Sequence, residues 1–357
     1  MDFRWRTESD DPAPEQVSEI DDRTRADEAV QRANRGEWLL YTGDFQNAKQ
    51  LLSAMSRRVP KPKRAASPLE AFRAERLARA REHQALSRLL VALDGEYRLA
   101  LRRAPDVAQA CRWAWGEPDA PRTVVPLKTL LGVLGAAEWR RKGLAVPGLK
   151  GTLEPHYGVY LPTRSEYVEL VAALPDVEGK RVIEVGTGTG VLSFVLLQRG
   201  AASALATDVE PRAVRCANEN ARRLDLADRF EAVQCDLFPD GRADLVVCNP
   251  PWIPEPPKTR LDRAVFDEGS VMVTAFVEGL PAHLTPGGAG VLVISDLAVL
   301  LGLRRAGWLD SLLAAAGLTV TWSKSAAPKH GKAADRDDPL HAVRSRETTT
   351  LYRLQRS

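Results

Sequence analysis

The sequence predicts an α/β domain with a doubly wound sheet over residues 151–357, preceded by an all-helical domain over residues 22–150. Three observations carry this. In the second half short apolar runs alternate with segments of helical period, the pattern of a parallel sheet covered by helices on both faces. The first run, 181–185, enters a loop of glycines spaced by two, Glu184-Val185-Gly186-Thr187-Gly188-Thr189-Gly190. The fourth, 244–248, stops at Asn249-Pro250-Pro251-Trp252. Two prolines with fixed φ and no N–H to donate must end a strand there.

In chain order, residues 1–20 are acidic, polar and rich in breakers, and read as a disordered tail. Segments 23–35 and 44–58 read as helices; the second puts Phe45, Ala48, Leu51, Leu52 and Met55 on one face. Val59-Pro60-Lys61-Pro62-Lys63-Arg64 reads as a stiff basic linker. Ser67-Pro68-Leu69-Glu70 is a capping box with proline at the first helical position. The helix it starts is expected to reach residue 103, with Asp94-Gly95 as its breaking point and Leu77, Leu86, Leu89, Leu90, Leu93, Tyr97 and Leu101 as its apolar stripe. Segments 111–115 and 125–139 add further helix, closed by Arg140-Arg141-Lys142, cations suited to a helix C-terminus.

In the second domain Thr163 and Glu166 make another capping box. Seven strands are expected, at 181–185, 204–208, 230–235, 244–248, 290–295, 318–323 and 348–354. Residues 326–346 form a charged insertion whose length suits either a substrate-side loop or an idle surface loop.

Composition narrows the classes. The 357 residues are 44% apolar and 27% charged, as in an ordinary soluble protein. No run approaches the ~20 apolar residues of a spanning helix, and residues 1–6 lead into no apolar signal core, so a cytoplasmic protein without membrane partners is expected. Cys111, Cys216, Cys235 and Cys248 show no C-x-x-C pairing, and the five histidines show no ligand spacing, so neither a disulfide framework nor a metal site is expected. Net charge is −5 over residues 1–56, +11 over 57–150 and −3 over the remainder. The basic middle segment suits an anionic partner such as RNA or a ribonucleoprotein; a merely solvated arginine face is the plainer alternative.

Open α/β sheets hold ligands at the carboxyl ends of their strands, so the chemistry belongs in the loops after the first four. Glycines spaced by two let the main chain curl against a ligand, although the spacing is not the G-x-G-x-x-G of dinucleotide sites. Asp208, after the second strand, is placed to accept two ribose hydroxyls, and Asp236, after the third, to take an adenine amino group. At the fourth, the Asn249 side-chain carbonyl and the Pro250 main-chain carbonyl are two acceptors able to hold both hydrogens of a planar NH2. Pro251 stiffens that shelf, and Trp252 offers an apolar face. Each feature alone also occurs as ordinary turn chemistry.

Glu184-x-Gly186-x-Gly188-x-Gly190, Asp208, Asp236 and Asn249-Pro250-Pro251-Trp252, in this order, resemble the class I S-adenosylmethionine-dependent methyltransferases of the Asn-Pro-Pro-aromatic type. Within them the chain is most similar to the HemK/PrmC-like group, which methylates release-factor glutamine at N5. Residues 162–166, Phe266-Asp267-Glu268-Gly269 and Leu284-Thr285-Pro286-Gly287-Gly288 also resemble that group. Trp252 stands where the group usually has tyrosine, and the N-terminal region is longer and more basic.

The resemblance implies a Rossmann-like seven-stranded sheet and S-adenosylmethionine as cofactor. It implies that Glu184, Gly186, Thr187, Gly188, Gly190, Asp208 and Asp236 bind the cofactor, and that Asn249 with Pro250, Pro251 and Trp252 forms the catalytic shelf, Asn249 reaching both. The acceptor it suggests is a glutamine side chain in a translation-related protein. Alternatives are adenine N6 or guanine N2 in RNA or DNA, and a catalytically silent cofactor-binding scaffold, against which the intact Asn249 argues.

Overall fold

Two sheets, one in each of two units, organise the computed structural model, which describes residues 3–9, 11–62, 65–162, 164–329 and 331–357. The first unit is Met1–Glu138 with Lys258–Arg260; the second is Trp139–Pro257 with Leu261–Ser357.

The first unit is not all-helical. Strands β1 (Arg4–Trp5), β2 (Ser18–Ile20), β3 (Leu39–Tyr41), β4 (Leu89–Asp94) and β5 (Arg122–Pro126) form a mixed sheet in the order β1-β5-β4-β3-β2. Two of these strands lie inside the stretch expected to be a disordered tail. Trp5 is held there edge-on to Trp38, with ring centroids 5.3 Å apart, and Arg4 pairs with Asp119 at 2.8 Å. Strands of two or three residues leave no periodic signature to read.

The helix begun by Ser67 spans Pro68–Ser87, and the Ser67 hydroxyl accepts from the Glu70 N–H as expected. It stops well short of residue 103, because Leu89, Leu90, Val91 and Leu93 are buried strand rather than helical stripe. A short apolar run fits a buried strand and a buried helix equally, and the sheet resolves the tie. Helices Ala26–Asn34, Phe45–Ser56, Ala108–Trp115 and Leu127–Lys142 lie close to the expected positions. Lys63 and Arg64 of the expected linker, and His330, lie outside the described residues.

In the second unit a small hairpin, β6 (Leu144–Ala145) and β7 (Thr152–Leu153), precedes the main sheet. All seven expected strands are present: β8 (Arg181–Val185), β9 (Ser203–Asp208), β10 (Phe230–Gln234), β11 (Ala243–Cys248), β12 (Leu284–Ser295), β13 (Leu318–Ala326) and β14 (Thr349–Arg356). Their order is β10-β9-β8-β11-β12-β14-β13, parallel except for β14, which runs antiparallel to both its neighbours. The chain winds outward from β8 to one side and from β11 to the other, so the switch point lies between these two strands.

Alternate residues of the central strands feed opposite cores. Leu245 and Val247 join the cluster that contains Val191, Phe194 and Val195, whereas Val246 and Cys248 join that of Phe276, Val277 and Leu280. Each fully buried side chain of this kind contributes about 1.5–3 kcal/mol. That fixes the register of the strands, and with it the position of every loop at the carboxyl edge.

The helix expected to begin with a Thr163 cap starts instead at Glu166, with Ser165 at the cap position and no side-chain capping bond; Thr163 lies outside the described residues. The charged insertion is anchored. It carries two short helices, Gly331–Ala334 and His341–Arg344, buries Ala333, Leu340 and Val343, and ties Lys329 to Glu169 at 2.6 Å. Among the described residues no helix is long and apolar enough to cross a membrane.

Candidate active site

The register sets the site. Val185 pairs with Thr207 on one side and with Cys248 on the other, and Asp208 pairs with Gln234. The residues that follow these pairs, Gly186, Asp208 and Asn249, therefore stand side by side at the carboxyl edge, about 4.8 Å apart per strand. Asp236 follows two residues beyond the last pair.

Beneath the glycine loop lies Glu184, 2% exposed. Its Oε2 accepts from Thr187 Oγ1 at 2.9 Å, from Ser193 N at 3.1 Å and from the Ser193 hydroxyl. Burial pushes its carboxyl up to about 7, and the donors oppose that rise without cancelling it. Glu184 and Thr187 thus brace the loop from within. Gly186 and Thr187 both donate their N–H groups to the Thr207 carbonyl at 2.9 Å. The Thr207 hydroxyl in turn donates to the Leu237 carbonyl at 2.5 Å, joining the loops after β8, β9 and β10.

Gly186, Gly188 and Gly190 all have positive φ, +74°, +55° and +87°. At Gly190 a Cβ would fall on the Phe194 ring, so the helix Val191–Gln198 approaches the loop closely only because that side chain is missing. At Gly188 a Cβ would meet nothing within 4 Å, so the loop leaves open space there.

Asp208 accepts from Gly188 N at 2.9 Å through Oδ2 and from Glu210 N at 3.0 Å through Oδ1. Burial raises its pKa above the ordinary carboxylate value against these bonds. An ionised carboxylate has about four lone-pair sites, so two remain for hydroxyl donors. Asp236 is exposed, and Leu237 after it takes a positive φ of 59°. Open space above a glycine loop, beside a carboxylate with free lone pairs, suits a nucleoside with vicinal hydroxyls.

On the far side of β8, Pro250 and Pro251 are buried and Asn249 is half-buried. The Trp252 indole N–H donates to Asn249 Oδ1 at 3.1 Å. Trp252 packs against both cores of the sheet, and the Arg164 guanidinium carbon lies 4.8 Å from its ring centroid. One face of the expected platform is therefore covered. The chain then returns as Asp267, whose carboxylate caps the helix Val271–His283 through Met272 N at 3.0 Å and Val273 N at 3.2 Å. This brings the Met272 methyl to within 3.1 Å of where a Gly186 Cβ would stand.

The structure thus sets Gly186, Asp208 and Asn249 side by side, with Gly188 bonded to Asp208 and Gly190 at the start of the next helix. Sequence reading left out Ser193, Thr207 and Met272. It also left out Asn220, a buried amide that donates to the Thr189 carbonyl at 3.4 Å and accepts from Glu154 N at 2.8 Å. Ser193 carries a faint signal, a hydroxyl amid an apolar helix, whereas Thr207, Asn220 and Met272 carry none.

The chain is similar to several known methyltransferases. The family profile of ribosomal protein L11 methyltransferase (PrmA) matches residues 167–250. A Methanocaldococcus jannaschii protein named as a protein N5-glutamine methyltransferase is 32% identical over 162 residues, 43% of this chain and 80% of that protein. A release factor glutamine methyltransferase from Cereibacter sphaeroides is 36% identical over 38% of this chain and 52% of its own length. A ribosomal protein L11 methyltransferase from an Enterobacter species is 39% identical over 25% and 30%. The chain thus spans about half or less of the last two proteins but most of the first. Taken with the seven-stranded sheet, this places the chain among the class I S-adenosylmethionine-dependent methyltransferases.

Proposed function

We propose that the protein transfers the methyl group of S-adenosylmethionine to a planar NH2 nitrogen, with a glutamine side chain of a translation-related protein as first-choice acceptor. The carrying observation is the register that sets Asn249 directly beside Gly186. The cradle fits the cofactor: Asp208 would take its ribose hydroxyls, the space over Gly188 its main body, and Asp236 its adenine amino group. When bound, the cofactor supplies an electrophilic sulfonium methyl. The chain's own part is to hold and aim the acceptor. Asn249 Oδ1 and the Pro250 carbonyl would take one amide hydrogen each, which points the nitrogen lone pair at the methyl. Positioning of this kind can lower a barrier by several kcal/mol without general base catalysis.

The glutamine reading, and with it the HemK-like assignment, is supported by the names of two relatives and by the Asn-Pro-Pro-Trp motif. A second reading, an exocyclic amine of RNA, is favoured by the exposed Arg73, Arg79 and Arg81 on the helix Pro68–Ser87. The test is transfer of labelled methyl from S-adenosylmethionine into a lysate of the source organism, with and without nuclease. Label that survives nuclease in a protein band is the expected result. Nuclease-sensitive label would replace glutamine by a nucleobase, and no label in any fraction would overturn the enzyme reading.

A further inference from the structure

We infer that Arg164 is a positioning residue for methyl transfer, fixing the Trp252 indole and, through it, the orientation of the Asn249 amide. The inference rests on the reading that Asn249 holds the acceptor nitrogen.

Arg164 is held on two sides. Its Nε donates to Glu166 Oε1 at 2.5 Å, and its Nη2 donates to Glu347 Oε1 at 2.9 Å, with a longer contact of 3.5 Å to Thr349 Oγ1. Both glutamates have fully buried side chains, and the Ser295 hydroxyl donates to the same Glu347 oxygen at 2.7 Å. Buried carboxylates need a cation, so the guanidinium is not free to leave. Its guanidinium carbon lies over the Trp252 ring, 4.8 Å from the centroid. A guanidinium suits both duties, because it can fork to two carboxylates in its plane and stack on an aromatic ring across it. A lysine ammonium can carry the charge but not the plane.

The next link is Trp252 to Asn249. An asparagine amide has an acceptor end and a donor end, and only the acceptor end can hold an NH2 hydrogen. The indole N–H donates and cannot accept, so it is satisfied only when Oδ1 faces it. That excludes the flipped amide and leaves the second Oδ1 lone pair for the acceptor. A tyrosine hydroxyl both donates and accepts, and would tolerate either end. Tryptophan in this motif thus does more than supply a flat surface, and Arg164 keeps it where it does so.

The test uses the full-length protein, 15N-labelled, whose eight tryptophans give eight indole N–H signals. Trp252→Phe identifies the signal in question by removing it. Arg164→Lys keeps a cation between the carboxylates. It should move the Trp252 signal and speed its exchange with solvent, while calorimetric affinity for S-adenosylhomocysteine stays within about twofold. Label transfer into lysate from S-adenosylmethionine, at saturating cofactor, should fall about tenfold, the size expected from one misplaced hydrogen bond. Trp252→Phe should lose a similar factor, and the double variant no more than the larger single loss, since both break one series.

An unmoved Trp252 signal in Arg164→Lys, a moved signal with full turnover, or multiplying losses in the double variant would overturn the inference. Full turnover in Asn249→Ala is a separate failure, because it removes the clamp itself. Normal turnover in Arg164→Lys beside a dead Asn249→Ala removes only the role of Arg164.

Discussion

The two loops that meet at the switch point are held by different means. The loop of Gly186 to Gly190 is held by its near neighbours and by the adjacent strand: Glu184 braces Thr187 and Ser193, Gly190 admits the Phe194 ring, and main-chain N–H groups of the loop donate to the Thr207 carbonyl and to Asp208. The loop of Asn249 to Trp252 leans on residues remote in sequence, Arg164 and behind it Glu166, Glu347 and Ser295. A cofactor common to a whole family can be held by the backbone geometry of two adjacent strands. An acceptor that differs between relatives needs groups from several segments, each of which can change without disturbing the other loop. The comparison predicts that damage on the glycine side appears in folding and cofactor affinity, and damage on the asparagine side in turnover.

The largest effect expected is at Gly190. An alanine there sits at φ +87° with its Cβ on the Phe194 ring, which is fully buried and packed 4.9 Å from the Phe230 ring. Strain and overpacking together should cost roughly 3–5 kcal/mol, read as a large drop in melting temperature. Gly188→Ala is its control: φ is +55° with open space around the added methyl. It should cost only ~1–2 kcal/mol yet weaken S-adenosylhomocysteine binding. Equal melting temperatures for the two variants would break the account of this loop.

Glu184 gives the next effect, and its sign is fixed by burial. Its folded pKa, about 7, lies above the ordinary glutamate value of 4.5, so between these values the folded state binds the extra proton. Stability from this group is full below pH 4.5 and is lost as pH rises through 7, on the order of 3 kcal/mol in all. His156, whose pKa burial lowers, acts in the opposite direction over part of the same window. The difference between the native protein and Glu184→Gln therefore isolates Glu184. Hydrogen exchange of the β8 amides should show the glutamine variant gaining relative to the native protein from pH 5 to pH 7.5. A constant difference across that range would mean that Glu184 is ionised throughout.

The same contrast explains what was legible in the sequence. The central strands β8, β11 and β12 could be read because they are short apolar runs, and the glycine loop because positive φ at three alternate positions demands glycine. Arg164 was visible only as part of a motif, and Glu347 gave no signal, because a residue 183 positions away becomes a partner only once β14 has folded beside β12. In the first unit β4 was read as helix, since Leu89 to Leu93 satisfies either period until β3 and β5 flank it. Strands β1 and β2 are too short to carry a pattern at all.

On the asparagine side, Asn249→Ala removes the Oδ1 acceptor and the partner of the Trp252 indole. Label transfer should fall at least about a hundredfold, the scale of losing one hydrogen-bonding group that acts on the reacting centre. Affinity for S-adenosylhomocysteine should stay within about threefold, because the glycine loop and Asp208 are untouched. Loss of cofactor affinity in step with turnover would erase the division between the two loops.

Asp208→Asn is the sharpest test of that division, although its expected effect is smaller. The amide keeps an acceptor for one of the two N–H groups that Asp208 now serves, Gly188 and Glu210, so the fold should hold. What it loses is a charged acceptor for hydroxyl donors, and hydrogen bonds to charged groups are worth about 1.5–3 kcal/mol. S-adenosylhomocysteine should bind roughly ten- to a hundredfold more weakly. Because Asn249 and its supports remain intact, raising S-adenosylmethionine should restore label transfer to near the native rate, whereas no cofactor concentration should rescue Asn249→Ala. If saturating cofactor fails to restore Asp208→Asn, the two loops are not independent, and the tie that runs from Asp208 through Gly188 to the edge of β8 also sets the position of the acceptor.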